Sequence, residues 1–208
     1  SEMCIRDRRY IRQTGGRGQY GHVVVEVEPC PQQGFVFGNA TTVDRVPAQF
    51  VPAVEAGIRE GLESGVLAGY CVTDVRVRLV GGSFHEVDSS EFAFKVAAAT
   101  ALREALRNAS PTLKEPIMRV EVVAPEDKVG DVISDLNARR GHVTGMESTP
   151  GGTQTIHAQV PLAEVFGYVT ALRSLTQGRA TYTMEPSHYE VVPQQVLDRI
   201  LERRLVAA

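Results

Sequence analysis

No apolar run in this chain approaches the roughly 20 residues that a helix needs to cross a bilayer. The first ten residues, SEMCIRDRRY, are polar and lack the apolar centre of a signal peptide. The expectation is a cytoplasmic protein with no membrane partner. Cysteine is scarce: Cys4, Cys30 and Cys71 are odd in number, far apart and not in a C-x-x-C pair, so they read as free thiols in a reducing compartment. The five histidines have no ligand spacing with cysteine or with one another, which argues against a metal site. No G-x-x-x-x-G-K-[ST] loop occurs anywhere, so the chain lacks the nucleotide cradle of a P-loop GTPase. Excess positive charge is missing too. The net charge is -3, and bulk electrostatics exclude general polyanion binding; any nucleic-acid contact must come from a local patch.

What is present is ordinary globular material. The chain has 208 residues, 43% hydrophobic and 23% charged, enough for one large or two small domains. HVVVEVE alternates, with Val23, Val25 and Val27 opposite His22, Glu26 and Glu28, and predicts a half-buried strand. A short strand is expected in PQQGFVFGN. Phe50, Val54, Ile58 and Leu62 recur at helical spacing, with Glu55 and Arg59 paired on the wet side and Gly65 as the stop. CVTDVRVRLV alternates again. Asp88 with Glu91 reads as a capping box opening a helix over about 89–108, with Val96, Ala99, Leu102 and Leu106 inward. Two prolines in NASPTLKEP mark a boundary at about 109–116. The second half predicts strand, helix, strand, strand, helix, strand, the ferredoxin-like order. Its helices lie in EDKVGDVISDLNARRG and PLAEVFGYVTALRSLT, with Gly141 after the first and Pro161 near the first turn of the second. Met118, Val120 and Val122 face inward on its first strand, and a last helix follows Pro193.

Gly16, Gly18 and Gly21 spell a G-x-G-x-x-G. A dinucleotide fingerprint needs a strand before and a helix after these glycines, but here a valine-rich strand follows. A kinase loop lies between strands, but its lysine, H-R-D and D-F-G partners are missing. Arg17, Gln19 and Tyr20 instead offer a guanidinium, an amide and a phenol ring on an open backbone. Those groups suit RNA phosphate, base-edge and stacking contacts. A second glycine turn, Gly82–Ser83–Phe84–His85–Glu86, precedes a helix, where backbone N–H groups face anions. No catalytic grouping stands out: His85, Glu86, Asp88 and Ser89 are near neighbours, and helix capping accounts for Asp88.

Longer strings carry more information. RQTGGRGQYGHV, VPAVEAGIRE, GVLAGY, GSFHEVDSSEFAFKVAA, EPIMRVEVVAPEDKVGDVISDLNARRG and VPLAEVFGYVTALRSLTQGRATYTMEPSHYE resemble the C-terminal part of the bacterial elongation factor G family, over about residues 10–200. The resemblance implies an α+β chain of two domains. Residues 9–113 would form domain IV, a ribosomal-protein-like α/β domain with a left-handed βαβ crossover, which enters the decoding region of the small ribosomal subunit. Residues 114–190 would form the ferredoxin-like domain V, near the large-subunit factor-binding centre, and the helix in 191–208 would pack back on domain IV. Gly15, Gly16, Arg17, Gly18, Gln19, Tyr20 and Gly21, with Gly82, Ser83, Phe84, His85 and Glu86, would be the tip loops that meet the messenger–transfer RNA duplex. Gln19 and His85 are the leading contacts, and Arg12, Arg17, His22 and His85 would supply local basicity. Arg139, Arg140, Arg173 and Arg179 would face ribosomal RNA. The partners implied are the ribosome (16S and 23S rRNA) and the tRNA–mRNA duplex, met by a monomer. The chain itself would take no cofactor and catalyse nothing; GTP and Mg belong to the parent's GTPase domain.

The chain departs from this pattern at residues 1–8, which match nothing expected of the family. They stand where the first strand of domain IV belongs, which predicts a missing strand and an artefact of cloning or gene assembly. Three other readings stand beside translocation. The first is a recycling or ribosome-protection paralogue, the second a small nucleotide-dependent enzyme, and the third a free-standing RNA-binding module.

Overall fold

A computed structural model describes residues 4–12, 18–149 and 151–206, with backbone alone at 4–12 and 203–206. The chain divides into two compact units. One comprises Ser1–Thr112 with Arg199–Ala208, the other Leu113–Asp198. No helix among the described residues is long and apolar enough to cross a membrane.

The first unit is a four-stranded sheet carrying two helices. Its elements are β1 (Cys4–Arg12), β2 (Gln19–Pro29), β3 (Phe35–Asn39), α1 (Val51–Ser64), β4 (Val75–Ser83) and α2 (Glu91–Asn108). The strand order is β1-β2-β4-β3. β2 pairs antiparallel with β1 and β4, while β3 and β4 run parallel, joined through α1. Val23, Val25, Val27, Val77 and Leu79 line the buried face of the sheet and meet Val54, Ile58 and Leu62 of α1 and Phe94, Ala98 and Leu102 of α2. Small residues let the two helices approach. A Cβ at Gly57 would strike the carbonyl oxygen of Lys95, and one at Gly61 would sit 2.8 Å from Leu102 Cδ2. The rings of Phe50 and Phe94 stack at 4.7 Å.

Three expectations need correction here. The first strand is not missing: Cys4–Arg12 forms β1 and pairs with β2 from Cys4↔Val27 to Arg12↔Gln19. β2 is not half-buried, because neighbouring side chains such as Ser83 and Arg78 cover its second face as well. His22 and Glu26 are 7% and 6% exposed, and the Glu26 carboxylate is neutralised by Arg78 on the neighbouring strand. α2 starts at Glu91 with Ser90, not Asp88, as its cap: Ser90 Oγ accepts from the Ala93 N–H at 3.2 Å. Its buried stripe runs through Ala93, Phe94, Ala97, Ala98, Ala101, Leu102, Ala105 and Leu106, so Val96 and Ala99 lie at its margin.

The second unit contains β5 (Lys114–Pro125), α3 (Val129–Ala138), β6 (His142–Thr149), β7 (Thr153–Pro161), α4 (Tyr168–Thr176) and β8 (Thr181–Val191). The sheet order β6-β7-β5-β8, antiparallel throughout, is the ferredoxin-like arrangement. Met118, Val120, Val122, Ile156, Ala158 and Val160 form its core with Val132, Leu136, Tyr168 and Leu172. The other face of the sheet carries charge, with Arg119 3.2 Å from Glu185 and His157 between Glu121 and Glu147. α4 is shorter than expected. Pro161 closes β7, a 3-10 turn covers Leu162–Glu164, and α4 begins only after the left-handed Gly167. The turn after α3 also differs, because Arg140 holds the left-handed position at φ 57°. Gly141 is needed for closeness instead: a Cβ there would sit 2.6 Å from the Leu136 carbonyl oxygen. A final helix, α5, spans Gln194–Val206.

Candidate nucleic-acid interface

β2 starts where β4 ends, since His22 faces Ser83 and Val23 faces Gly82 across the ladder. Antiparallel pairing thus brings Gly18–Gly21, the described end of the first glycine turn, beside the second, although more than 60 residues of chain separate them. Cross-links then fix them. Gly18 N–H donates to Asp88 Oδ1 at 3.0 Å, and Tyr20 N–H donates to the Asp88 carbonyl at 2.7 Å. Ser83 Oγ lies 2.7 Å from the Tyr20 hydroxyl and 2.8 Å from His22 Nδ1. The Tyr20 and His85 rings sit 6.4 Å apart.

This arrangement redistributes the roles expected of the tip residues. Tyr20 and His22 use their polar atoms to brace the base of the loops. His22 is therefore a buried strut, not part of a basic surface. Gly21 and Gly82 serve internal closeness. A Cβ at Gly21 would come within 2.6–2.7 Å of the Ala93–Phe94 backbone, and one at Gly82 would strike the His22 carbonyl oxygen and lie 2.7 Å from Val46. Gln19 is half-buried, and its Oε1 is shut from solvent without a hydrogen-bond partner among the described residues. Arg12 closes β1 opposite Gln19. Gly15, Gly16 and Arg17 lie outside the described residues.

Among the described residues, the exposed part of this region is the second turn. His85 is 57% exposed, and Phe84, Glu86 and Val87 are exposed beside it. The turn is itself ordered: His85 N–H donates to Ser89 Oγ at 2.8 Å, and Ser89 N–H returns to the His85 carbonyl at 3.0 Å. The amides of Asp88 and Val87 point at His85 Nδ1 from 3.3 and 3.4 Å, which puts the hydrogen of the neutral ring on Nε2. A protonated ring would instead have the Asp88 carboxylate 3.5 Å from Nδ1. Glu86, Asp88 and Glu91 make this turn acidic, with no lysine or arginine between Gly82 and Glu91. Its polar and aromatic groups suit base edges and ring faces better than phosphates.

The second-unit arginines divide. Arg139 donates to Asp135 Oδ2 at 2.8 Å and to the Glu164 carbonyl at 2.7 Å, and lies over the Tyr168 ring. Arg140 forms a bidentate pair with Glu115 at 2.8 and 2.7 Å and a third bond to Glu164 at 3.0 Å. Hydrogen bonds to Glu115 are the main reason its pKa is raised. Both guanidinium groups are thus spent inside the unit, contrary to the expectation of free RNA-facing cations. Arg179 is partly exposed and pairs with Asp127 at 3.1 Å, and Arg173 is exposed on α4. Among the described residues, no three His, Cys, Asp or Glu side chains are placed to hold a metal.

Asp88 is the residue that reading the sequence missed. The capping-box pattern accounted for it, while the adjacent Ser90 held the actual cap. Its loop-bridging role depends on a partner 70 positions away, for which the sequence carries no local signal.

Known proteins resemble the chain throughout. Residues 3–110 match the family described as elongation factor G, domain IV, and residues 112–200 the elongation factor G C-terminus. Elongation factor G of Aquifex pyrophilus is 54% identical over 98% of this chain, which spans 29% of that relative. A crystal structure of a Thermus thermophilus protein superposes with TM-score 0.85 at 43% identity, over 99% of this chain and 31% of that one.

Proposed function

We propose, from the premise that this chain belongs to the elongation factor G family, that its first unit is the arm of a translocating GTPase that reaches the codon–anticodon duplex. The paired tip loops would contact that duplex in the ribosomal A site. The observation that carries this reading is that Gly18 and Tyr20, at the described end of the first glycine turn, are bonded to Asp88 and Ser83 of the second, with His85 exposed beside them. The role of these loops in this reading is to bind and position. His85 Nε2 and the rings of Phe84 and His85 are the groups available for base edges and stacking. GTP and Mg would be held by the GTPase domain of a longer parent, and the second unit would lie near the large-subunit rRNA.

The test is a chimera in which this chain replaces the matching region of the Aquifex pyrophilus relative. It is expected to support translocation of tRNA and mRNA on programmed ribosomes. His85→Ala with Gln19→Ala should slow translocation by roughly 100-fold, the loss of a few kcal/mol of positioning, and leave ribosome-stimulated GTP hydrolysis intact. Equal loss of both activities would show that the tip is not a local contact. A chimera that hydrolyses GTP without translocating would point to a recycling role.

A further inference from the structure

Asp88 sits between the loops, does not cap α2, and yet has a half-buried carboxylate. We infer that it is the positioning residue that ties the Gly18–Tyr20 end of the first tip loop to the second. The inference rests on the tip reading above for its functional consequence, but not for its physical content.

The geometry is specific. Three groups of one residue meet three parts of the tip. Oδ1 takes the Gly18 N–H at 3.0 Å, the backbone carbonyl takes the Tyr20 N–H at 2.7 Å, and Oδ2 lies 3.5 Å from His85 Nδ1. Residue 88 therefore ties the first turn at two points and faces the exposed histidine of the second. The isolated bridge between Tyr20 and Ser89 runs beside these bonds and extends the contact by one residue. The fit at Gly18 is tight: a Cβ there would lie 3.1 Å from Asp88 Cγ. A side chain at position 18 would require the carboxylate to give by a few tenths of an ångström, against the bond it makes to the Gly18 amide. A carboxylate acceptor gives the stronger, charge-assisted form of this bond. Ser83, shared by Tyr20 and His22, braces the same two loops one layer deeper.

The experiment is amide hydrogen exchange by NMR on the 208-residue chain, comparing wild type, Asp88→Ala and Asp88→Asn. In Asp88→Ala, the Gly18 amide should lose roughly tenfold or more in protection, the size of one lost hydrogen bond to a charged group, while the Tyr20 amide, whose acceptor is the backbone carbonyl of residue 88, should lose less. The Ala93 amide, held by Ser90, and the amides of Val25 and Val77 in the sheet should keep theirs. Asp88→Asn retains an oxygen acceptor and should restore most of the Gly18 protection. Unchanged exchange at Gly18 in Asp88→Ala would overturn the inference, and so would a uniform loss across the first unit. In the chimera, Asp88→Ala should slow translocation and spare GTP hydrolysis. Lost loop protection with an unchanged translocation rate would leave the clamp standing and remove the tip from the proposed function.

Discussion

Tyr168 shows what single residues decide in the second unit. Its ring is 2% exposed, stands edge-on to Tyr182 at 5.4 Å and lies under Arg139, but its hydroxyl is buried without a partner among the described residues. Burial, the largest cause, and then the Asp135 carboxylate push its pKa well above the ordinary 10.0. The folded state therefore keeps its proton where the unfolded chain has begun to lose it. This contribution is fully present below pH 10 and is lost as pH rises towards the folded pKa. Thermal melts of the second unit are expected to fall from about pH 10 upward, and Tyr168→Phe should flatten that limb. At neutral pH the same substitution removes an unsatisfied hydroxyl and should stabilise by about 1 kcal/mol. A variant that melts lower at neutral pH would show that the hydroxyl has an unrecognised partner. Single residues were also the hardest features to read in advance. The glycine turns are plain in the sequence, but Arg140 looks like a free surface cation until Glu115 and Glu164 are folded around it from 25 residues before and 24 after.

At the scale of elements, periodicity did most of the work. Alternating valines found β2 and β4, and the Phe50, Val54, Ile58, Leu62 spacing found α1 with its stop at Gly65, φ 55°. Ends and neighbours were less legible. The start of α2 was misplaced because DSSE offers a cap at more than one position, and β1 was missed because a charged edge strand has no apolar alternation to show. Glycines in helices give a direct test of element packing. Gly57 lies against the Lys95 carbonyl, whereas Gly130 in α3 has nothing within 4 Å of an added Cβ. Both would gain about 1 kcal/mol of helix propensity as alanine. Gly57→Ala must also part α1 from α2, at about 1–3 kcal/mol. Urea denaturation is expected to show Gly130→Ala more stable than wild type and Gly57→Ala less stable. A reversed order would mean that α1 and α2 are not in this close contact.

On the scale of the whole molecule, the first unit is discontinuous: its chain leaves at Thr112 and returns at Arg199. Deleting residues 193–208 should therefore lower the melting of the first unit by roughly 5 °C or more, as expected for the loss of about 1 kcal/mol. Exchange protection in β5 and β7 should persist, and equal loss in both units would contradict this division. A proline-flanked polar run lies where the chain leaves the first unit, whereas no local signal marks where it returns. The tip also has a mechanical character. β2 is paired along both edges, with β1 on one side and β4 on the other, and the loops are direct continuations of those strands. A force on the loops along the strand axes would load these ladders in shear, with many rungs resisting together.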